Sequence, residues 1–211
     1  MTKPPSGKGA RTREIIVDTA ISAFAEAGFA SASIQSIADR CGLTQTAVLY
    51  HFTSKQELIR EALGTIVRRN HTLVEGLMRP TDGAYARLTK HFRGNLEWGL
   101  RHSDESQVLL LVYYLGCFDR SFSETYHRLL ETARARILAY LLAGKRERVF
   151  TFRTDPEELA ATLHDVLLGG FVNSLSTRIA VGSGKAPAQV KDQHRRWKAT
   201  IDGLCGYDSG D

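Results

Sequence analysis

The stretch of sequence that decides the fold is SIQSIADRCGLTQTAVLYHFTSKQEL, residues 33–58. It contains two short segments with helical periodicity, separated by Gly42, a residue type that readily adopts the left-handed conformation of a tight turn. Ser33 and Thr44 stand where the two helices would begin, and both residue types are favoured as N-caps. Two helices joined by a short turn that contains glycine form a helix-turn-helix. A plain helical hairpin within a core is the alternative, since it needs many of the same residues.

The apolar residues of this stretch fit the close crossing that a helix-turn-helix requires. Ala38 is small where the two helices would touch, and Val48 and Phe52 lie four residues apart, so they share one face of the second helix. Burial of this face directs the opposite face outward. The outward residues are chemically mixed, and most of them donate or accept hydrogen bonds: Gln45, Thr46, Leu49 and Tyr50, with His51 near the boundary.

These outward side chains suit the edges of DNA bases. A glutamine amide can pair with adenine, a threonine offers a hydroxyl and a methyl group, and an exposed aromatic ring can lie along a thymine methyl group or a sugar. Ser33 at the start of the first helix of this pair and Lys55 after the second can bind backbone phosphates, which set register rather than sequence preference. The second helix is therefore predicted to read bases in the major groove.

The rest of the chain also has helical periodicity, without strand-like alternation, so we predict an all-α fold. The first helix is expected to stop at Gly28, because glycine favours helix C-termini. A fourth helix is predicted after the cap Ser54, ending at about Arg79, before Pro80. Five further helices are predicted over residues 84–101, 104–117, 121–148, 156–181 and 187–204. We predict a flexible basic arm (1–10), a three-helix helix-turn-helix domain (11–55) and a larger helical domain (56–208).

Composition argues against several other classes of protein. The chain has 211 residues, is 43% hydrophobic and carries a formal charge of +5, which is compatible with a polyanionic partner but does not require one. The three cysteines are far apart and the histidines lack metal-ligand spacing, so we expect neither a disulfide scaffold nor a metal site. Neither a signal peptide nor an apolar run long enough to span a membrane is found. We therefore expect a cytoplasmic protein with no membrane partner and no cofactor.

The sequence also lacks the common catalytic motifs, such as a glycine-rich phosphate loop or a GxSxG elbow. We therefore expect no enzyme and predict no catalytic residue. The rival interpretation is an all-α enzyme or small-molecule carrier without DNA binding, in which Gln45 and Tyr50 can become alanine without effect. A third is a DNA-coating protein with similar affinity for any duplex.

The quoted stretch, with GFASASIQSIA overlapping its start and HFTSKQEL near its end, resembles the DNA-binding signature of the TetR family of transcriptional regulators. The resemblance covers residues 11–65 and implies a homodimeric regulator, most often a repressor, that binds a near-palindromic operator and is released by a small-molecule effector. Leu49 departs from the family, which commonly has a tyrosine there, so one phosphate contact is expected to be missing. The family's recognition helix corresponds to Gln45, Thr46, Ala47, Tyr50 and His51, and its phosphate-binding lysine to Lys55; with Ser33 and Thr44 these are the predicted DNA-binding residues.

The resemblance further implies a ligand pocket and a dimer interface in the larger domain. Aromatic residues near the apolar segment 107–118 are candidates for the pocket, although most such segments are only core. The last two helices are the predicted interface. Gly169 and Gly170 weaken the first of them, which indicates close approach of another helix, from a second copy or from the same chain. The predicted ligand-binding residues are Trp98, Tyr113, Tyr114, Phe118, Phe122 and Asn173.

Overall fold

The computed structural model describes the backbone of residues 7–181 and 186–208, and the side chains of these residues except 177–189. All regular elements in this described part are α-helices, which confirms the all-α prediction. None of them is long and apolar enough to cross a membrane. The helices are α1 (Lys8–Ser31), α2 (Ile34–Cys41), α3 (Gln45–His51), α4 (Lys55–Gly76), α5 (Ala84–Arg101), α6 (Ser103–Phe118), α7 (Arg120–Arg146), α8 (Pro156–Val181) and α9 (Ala186–Cys205).

The start of α1 and the end of α4 differ from the predicted positions. The expected arm over residues 1–10 is helical from Lys8 onward, where the first side chains with good helix propensity follow Gly7; residues 1–6 lie outside the described residues. Helix α4 ends at Gly76 rather than near Arg79. Gly76 lowers helix propensity there, and the next two amides, of Leu77 and Met78, make turn-type hydrogen bonds of 3.2 and 2.9 Å to carbonyls three residues back.

The predicted stop at Gly28 is a break within α1. Gly28 has φ 74° and ψ 167°, a conformation that interrupts the helix, and one further turn follows through Ser31. Glycine reaches this positive φ without the steric penalty that a β-carbon adds. The break redirects the chain just before the cap of α2.

The chain divides into two compact units, and neither is a continuous segment. Unit 1 contains Met1–Arg69 and His102–Leu115, and unit 2 contains Asn70–Arg101 and Gly116–Asp211. This differs from the predicted division at residues 55 and 56. The first three helices bury too little apolar surface alone, so the first fifteen residues of α4 and most of α6 complete unit 1. As a result, α4 and α6 each have residues in both units.

Unit 1 is held together partly by charged contacts made by the first turn of α6. Ser22 of α1 donates a hydrogen bond to the carboxylate of Asp104 at 2.9 Å. Arg69 of α4 bridges α1 and α6, because its guanidinium lies 2.6 Å from Asp18 and 3.1 Å from Glu105. Glu105 is almost completely buried. A buried carboxylate is stabilised only when it is paired, so Arg69 fixes the start of α6 against α4.

The core of unit 2 is formed by α5, α7, α8 and α9, with Trp197 of α9 at its centre. The Trp197 ring packs edge-on against Phe92 with 5.4 Å between ring centroids, and its Nε1 donates to the carbonyl of Val166 at 3.2 Å. A β-carbon at Gly170 would lie 2.6 Å from that Nε1, whereas one at Gly169 would have no neighbouring atom within 4 Å. The close approach that the glycine pair indicated is therefore intrachain at Gly170, while Gly169 faces outward.

Unit 2 also contains a buried histidine, His91 of α5, which is only 5% exposed. Burial lowers the pKa of His91 to about 3, with smaller contributions from the charges of Arg136, His164 and His71. The imidazole is therefore neutral in the folded protein at pH 7.

The depressed pKa of His91 predicts acid sensitivity. In the unfolded chain this histidine takes up a proton near pH 6.5, but in the folded protein it does so only near pH 3. The free energy of unfolding is therefore expected to fall by up to about 1.4 kcal/mol per pH unit as the pH drops below 6.5. Urea titrations of wild type and His91→Leu from pH 7.5 to 5 measure this dependence. A wild-type slope that matches the variant's slope contradicts the prediction.

Candidate nucleic-acid interface

The turn between α2 and α3 is built by local hydrogen bonds. Ser33 caps α2 in a capping box, in which its hydroxyl accepts from the Ser36 amide and the Ser36 hydroxyl accepts from the Ser33 amide, both at 3.0 Å. Gly42 has φ 66° in the left-handed region, as the turn requires. The Thr44 hydroxyl caps α3 by accepting from the Ala47 amide at 3.1 Å. These caps fix where each helix begins, as the sequence predicted.

Helix α3 is anchored by its apolar side. Val48 and Phe52 are completely buried, as are Ile37 and Ala38 of α2, which fill the wedge between the two helices. Seven residues are too few for a helix to be stable alone, so this packing maintains α3 and sets its rotation. The side of α3 opposite to Val48 is therefore fixed outward.

The outward face of α3 brings together four of the side chains that the sequence placed there. Gln45 and Thr46 are exposed, Leu49 is 39% exposed and Tyr50 is 86% exposed. The Tyr50 ring meets His51 edge-on at 5.4 Å between centroids. An exposed aromatic ring next to the hydrogen-bonding side chains of Gln45 and Thr46 forms a surface that is suited to binding a partner.

The other predicted DNA-binding residues occupy more constrained positions. Ala47 and His51 are half-buried, whereas Ser33 and Thr44 are exposed at the starts of their helices. Lys55 is half-buried, and its Nζ donates to the backbone carbonyl of Ala30 at 3.2 Å. Lys55 thus ties the start of α4 to the end of α1, and a phosphate contact requires sharing or release of this bond.

Arg13 of α1 holds the end of α3, a role that the sequence did not reveal. Its Nη1 donates to the backbone carbonyl of His51 at 2.6 Å, and its guanidinium carbon lies 4.1 Å from the centre of the Phe52 ring. A cation at a helix C-terminus satisfies a carbonyl that has no partner within the helix and interacts favourably with the helix dipole. Arg13 therefore fixes the last turn of the helix that carries Tyr50.

Arg13 is itself held by a carboxylate. Its Nη2 lies 3.1 Å from Glu61 of α4, and Glu61 also binds Arg68 at 2.9 Å. Partial burial opposes ionisation of Glu61, but hydrogen bonds from Arg68 and Arg13 outweigh this effect, so the pKa of Glu61 is lowered. Glu61 is therefore ionised at neutral pH, and a chain of charge-assisted bonds connects α4, α1 and α3.

The predicted ligand-binding residues do not form one cluster within either unit. Trp98 is fully buried in unit 2, where its ring stacks on Phe171 with 6.2 Å between centroids. Tyr113 and Tyr114 belong to unit 1, and Tyr114 is 62% exposed. The remaining three lie in unit 2. Phe118 is 77% exposed, Phe122 is half-buried and Asn173 is exposed.

Comparison with known proteins places the helix-turn-helix in a family. The family model described as bacterial regulatory proteins, tetR family, matches residues 16–62. Over 67 residues the chain is 37% identical to the HTH-type transcriptional repressor KstR2 from Rhodococcus jostii (strain RHA1), a match that covers 30% of this chain and only 32% of that repressor.

Solved structures share the fold over nearly the whole chain. A protein assigned as a TetR-family transcriptional regulator from Rhodococcus sp. superposes with a TM-score of 0.77, covering 93% of this chain and 99% of that one at 18% identity. A protein from Saccharomonospora viridis that is described as a transcriptional regulator, in complex with choline, superposes with a TM-score of 0.74. The match covers 92% of this chain and 96% of that one at 23% identity. The matching family model and the repressor KstR2 are both described as regulatory, in agreement with the prediction that the chain is not an enzyme. Residues 16–62 therefore form a helix-turn-helix segment of the type found in the tetR family of bacterial regulatory proteins.

Proposed function

We propose that the protein is a ligand-responsive transcriptional repressor of the cytoplasm that binds a near-palindromic operator as a homodimer. One observation carries the proposal: Val48 and Phe52 are completely buried, so α3 presents Gln45, Thr46 and Tyr50 to solvent. Amide, hydroxyl and aromatic groups on an exposed helix that follows a glycine turn are suited to base edges in a major groove. The similarity to a named repressor supports the sign of regulation.

Exposed residues on the last two helices support the homodimer. On α8, Val172 is 44% exposed beside the outward Gly169, and on α9, Leu204 is 38% exposed beside the exposed Gly203. Small and apolar residues on an outer helix face allow close packing of a second copy. A two-fold dimer would present two copies of α3 about 34 Å apart, at successive major grooves.

The chain path supports ligand response. Both α4 and α6 pass from one unit to the other, so a change in unit 2 that shifts either helix acts directly on the unit that carries α3. A coupling free energy of about 1 to 3 kcal/mol is usual for such linkage and changes operator occupancy by one or two orders of magnitude. By reciprocity, the operator must weaken effector binding by the same factor.

The experiment that tests this function is selection of bound sequences from a pool of random duplexes. A palindromic consensus with half-site centres about one helical turn apart is expected. Equal affinity for all duplexes at matched salt instead supports a DNA-coating protein, and no binding to any duplex supports a carrier or an enzyme.

Gln45→Ala is expected to relax sequence preference at one base position of each half-site. Loss of a bidentate amide contact reduces discrimination at that position by about 1 to 3 kcal/mol and leaves other positions nearly unchanged. Repeating the selection with the variant measures this effect. Gln56→Ala, which removes an exposed glutamine from α4, is the matched control and should retain the wild-type consensus. Equal loss on operator and random DNA from Gln45→Ala would exclude direct readout by this side chain.

A further inference from the structure

A buried polar cluster in unit 2 joins three helices: Asn70 of α4, His91 and Asn95 of α5, and Tyr140 of α7. The Asn70 amide donates to the Asn95 carbonyl oxygen at 3.1 Å, and the Asn95 amide donates to the His91 backbone carbonyl at 2.8 Å. The rings of His91 and Tyr140 are 5.7 Å apart. Asn70 and Tyr140 are each 8% exposed, and His91 is 5% exposed. Buried polar side chains are unfavourable unless each of their polar atoms has a hydrogen-bond partner.

His91 leaves one hydrogen-bond donor unused. Asn95 Nδ2 lies 3.4 Å from His91 Nε2, so Nε2 is the acceptor nitrogen, and the proton of the neutral ring is on Nδ1. This Nδ1 is buried and has no hydrogen-bond partner among the described residues. An unsatisfied buried donor is unfavourable, so its retention points to a partner that binds there.

The other groups at this place are also donors. The Tyr140 hydroxyl donates to the sulfur of Met78 at 3.6 Å, which is a weak acceptor. Arg136 lies one helical turn before Tyr140 on α7, so both side chains occupy the same face of the helix. Its guanidinium is half-buried and forms no ion pair within the described part of the chain. The cluster therefore has several donors, and the carboxylate that reaches it, Glu75, hydrogen-bonds with Tyr140 and leaves His91 Nδ1 without a partner.

Charges around the cluster favour an anion. The charge of Glu75 acts on Arg136 and Tyr140, and its side chain hydrogen-bonds with Tyr140, but Glu75 is exposed and also pairs with His71 at 3.4 Å. Burial lowers the pKa of Arg136, which indicates that its positive charge is only partly compensated. A half-buried guanidinium is stabilised most by a carboxylate, which accepts two of its hydrogen bonds at once.

We propose that this cluster binds an organic acid with an apolar body, whose carboxylate accepts hydrogen bonds from His91 Nδ1 and from the guanidinium of Arg136. That the acid acts as the effector rests on the function proposed above. Asn70 then connects the site to unit 1, because the preceding residue of α4, Arg69, binds Asp18 of α1 and Glu105 of α6. A ligand that changes the hydrogen bonding of Asn70 thus acts one residue away from Arg69, whose ion pairs hold α1 and α6.

The test compares acids with their neutral amides on the full-length protein. Thermal unfolding and calorimetry are measured with benzoate, hexanoate and octanoate, and with benzamide, hexanamide and octanamide, at equal ionic strength. At least one carboxylate is expected to raise Tm by about 5 °C or more at saturation, and its amide is not. Arg136→Met is expected to abolish the shift, and His91→Leu to weaken binding about tenfold or more. Arg128→Met, an exposed arginine of the same helix, is the control and should behave as wild type.

The ligand-free variants distinguish a binding site from a structural one. If the two side chains are retained for a ligand, Arg136→Met and His91→Leu should leave the ligand-free Tm unchanged or higher, because each removes an uncompensated polar group. A lower Tm in both variants, a shift that persists in Arg136→Met, equal shifts by acid and amide, or no saturable shift with any of the three acids overturns the proposal. If the wild type still selects a palindromic operator, only the site assignment fails. Acid binding without any change in operator affinity instead removes the effector role.

Discussion

Replacement of Arg13 by methionine is expected to lower the affinity for operator DNA about 10- to 100-fold. The variant loses the charge-assisted hydrogen bond to the His51 carbonyl at the end of α3 and the contact with the Phe52 ring. Methionine retains much of the length and the apolar volume of the arginine stem, so packing is largely conserved. Because the lost interactions orient the reading helix, affinity for a scrambled duplex should change far less. Fluorescence anisotropy with both duplexes at one salt concentration measures the ratio.

Two controls separate orientation from charge and from folding. Arg128→Met removes the same charge from an exposed site in unit 2 and should leave the affinity ratio unchanged. Thermal unfolding of Arg13→Met must show that the protein is folded at the binding temperature. If both duplexes lose affinity equally, Arg13 acts as a general cation for phosphates rather than as the residue that positions α3.

Gly170→Ala is expected to lower the free energy of unfolding by about 2 to 3 kcal/mol. A β-carbon at this position would lie 2.6 Å from Trp197 and 2.5 Å from Gln193, both of α9. Trp197 is 2% exposed and bonded to the Val166 carbonyl, so it cannot move without disturbing the core. Overpacking therefore outweighs the gain in helix propensity. Urea unfolding followed by circular dichroism measures the change.

Gly169→Ala is the matched control, one residue earlier on the same helix. A β-carbon there would meet no atom within 4 Å, so only the propensity gain applies, about 1 kcal/mol in favour of the folded state. Opposite signs for the two neighbouring substitutions are expected. If Gly170→Ala were as stable as wild type, α9 would not be packed as closely on α8 as the structure indicates. A folded Gly169→Ala protein that no longer dimerises would place this face of α8 against a second copy.

The helix-turn-helix was predictable because its determinants are local. The caps Ser33 and Thr44, the turn residue Gly42 and the buried pair Val48 and Phe52 all act within a few residues of their own positions. Such spacings can be seen directly in the sequence. Once the buried pair was assigned, the outward face of α3 followed from helix geometry alone.

Contacts between distant residues were not predictable in this way. Arg13 reaches a carbonyl 38 residues later and a carboxylate 48 residues later, and nothing in its local sequence distinguishes it from the other basic residues near the N-terminus. The extent of each unit could not be predicted for a related reason. Helical periodicity shows which residues of α4 and α6 are apolar, but not which helices they pack against. Aromatic content suggested ligand-binding residues that the structure distributes over both units.

The crossing of α4 and α6 between the units has a consequence for protein engineering. A fragment cut after the fourth helix would lack Asp104 and Glu105, so Ser22 would lose its acidic partner and Arg69 would keep only Asp18. Chimaeras that replace unit 2 with that of a relative should therefore be joined at three places, near residues 69, 101 and 115, rather than at a single loop. A hybrid joined only at residue 55 would take both α4 and α6 from the relative. The first turn of that α6 would not necessarily carry acidic residues that bind Ser22.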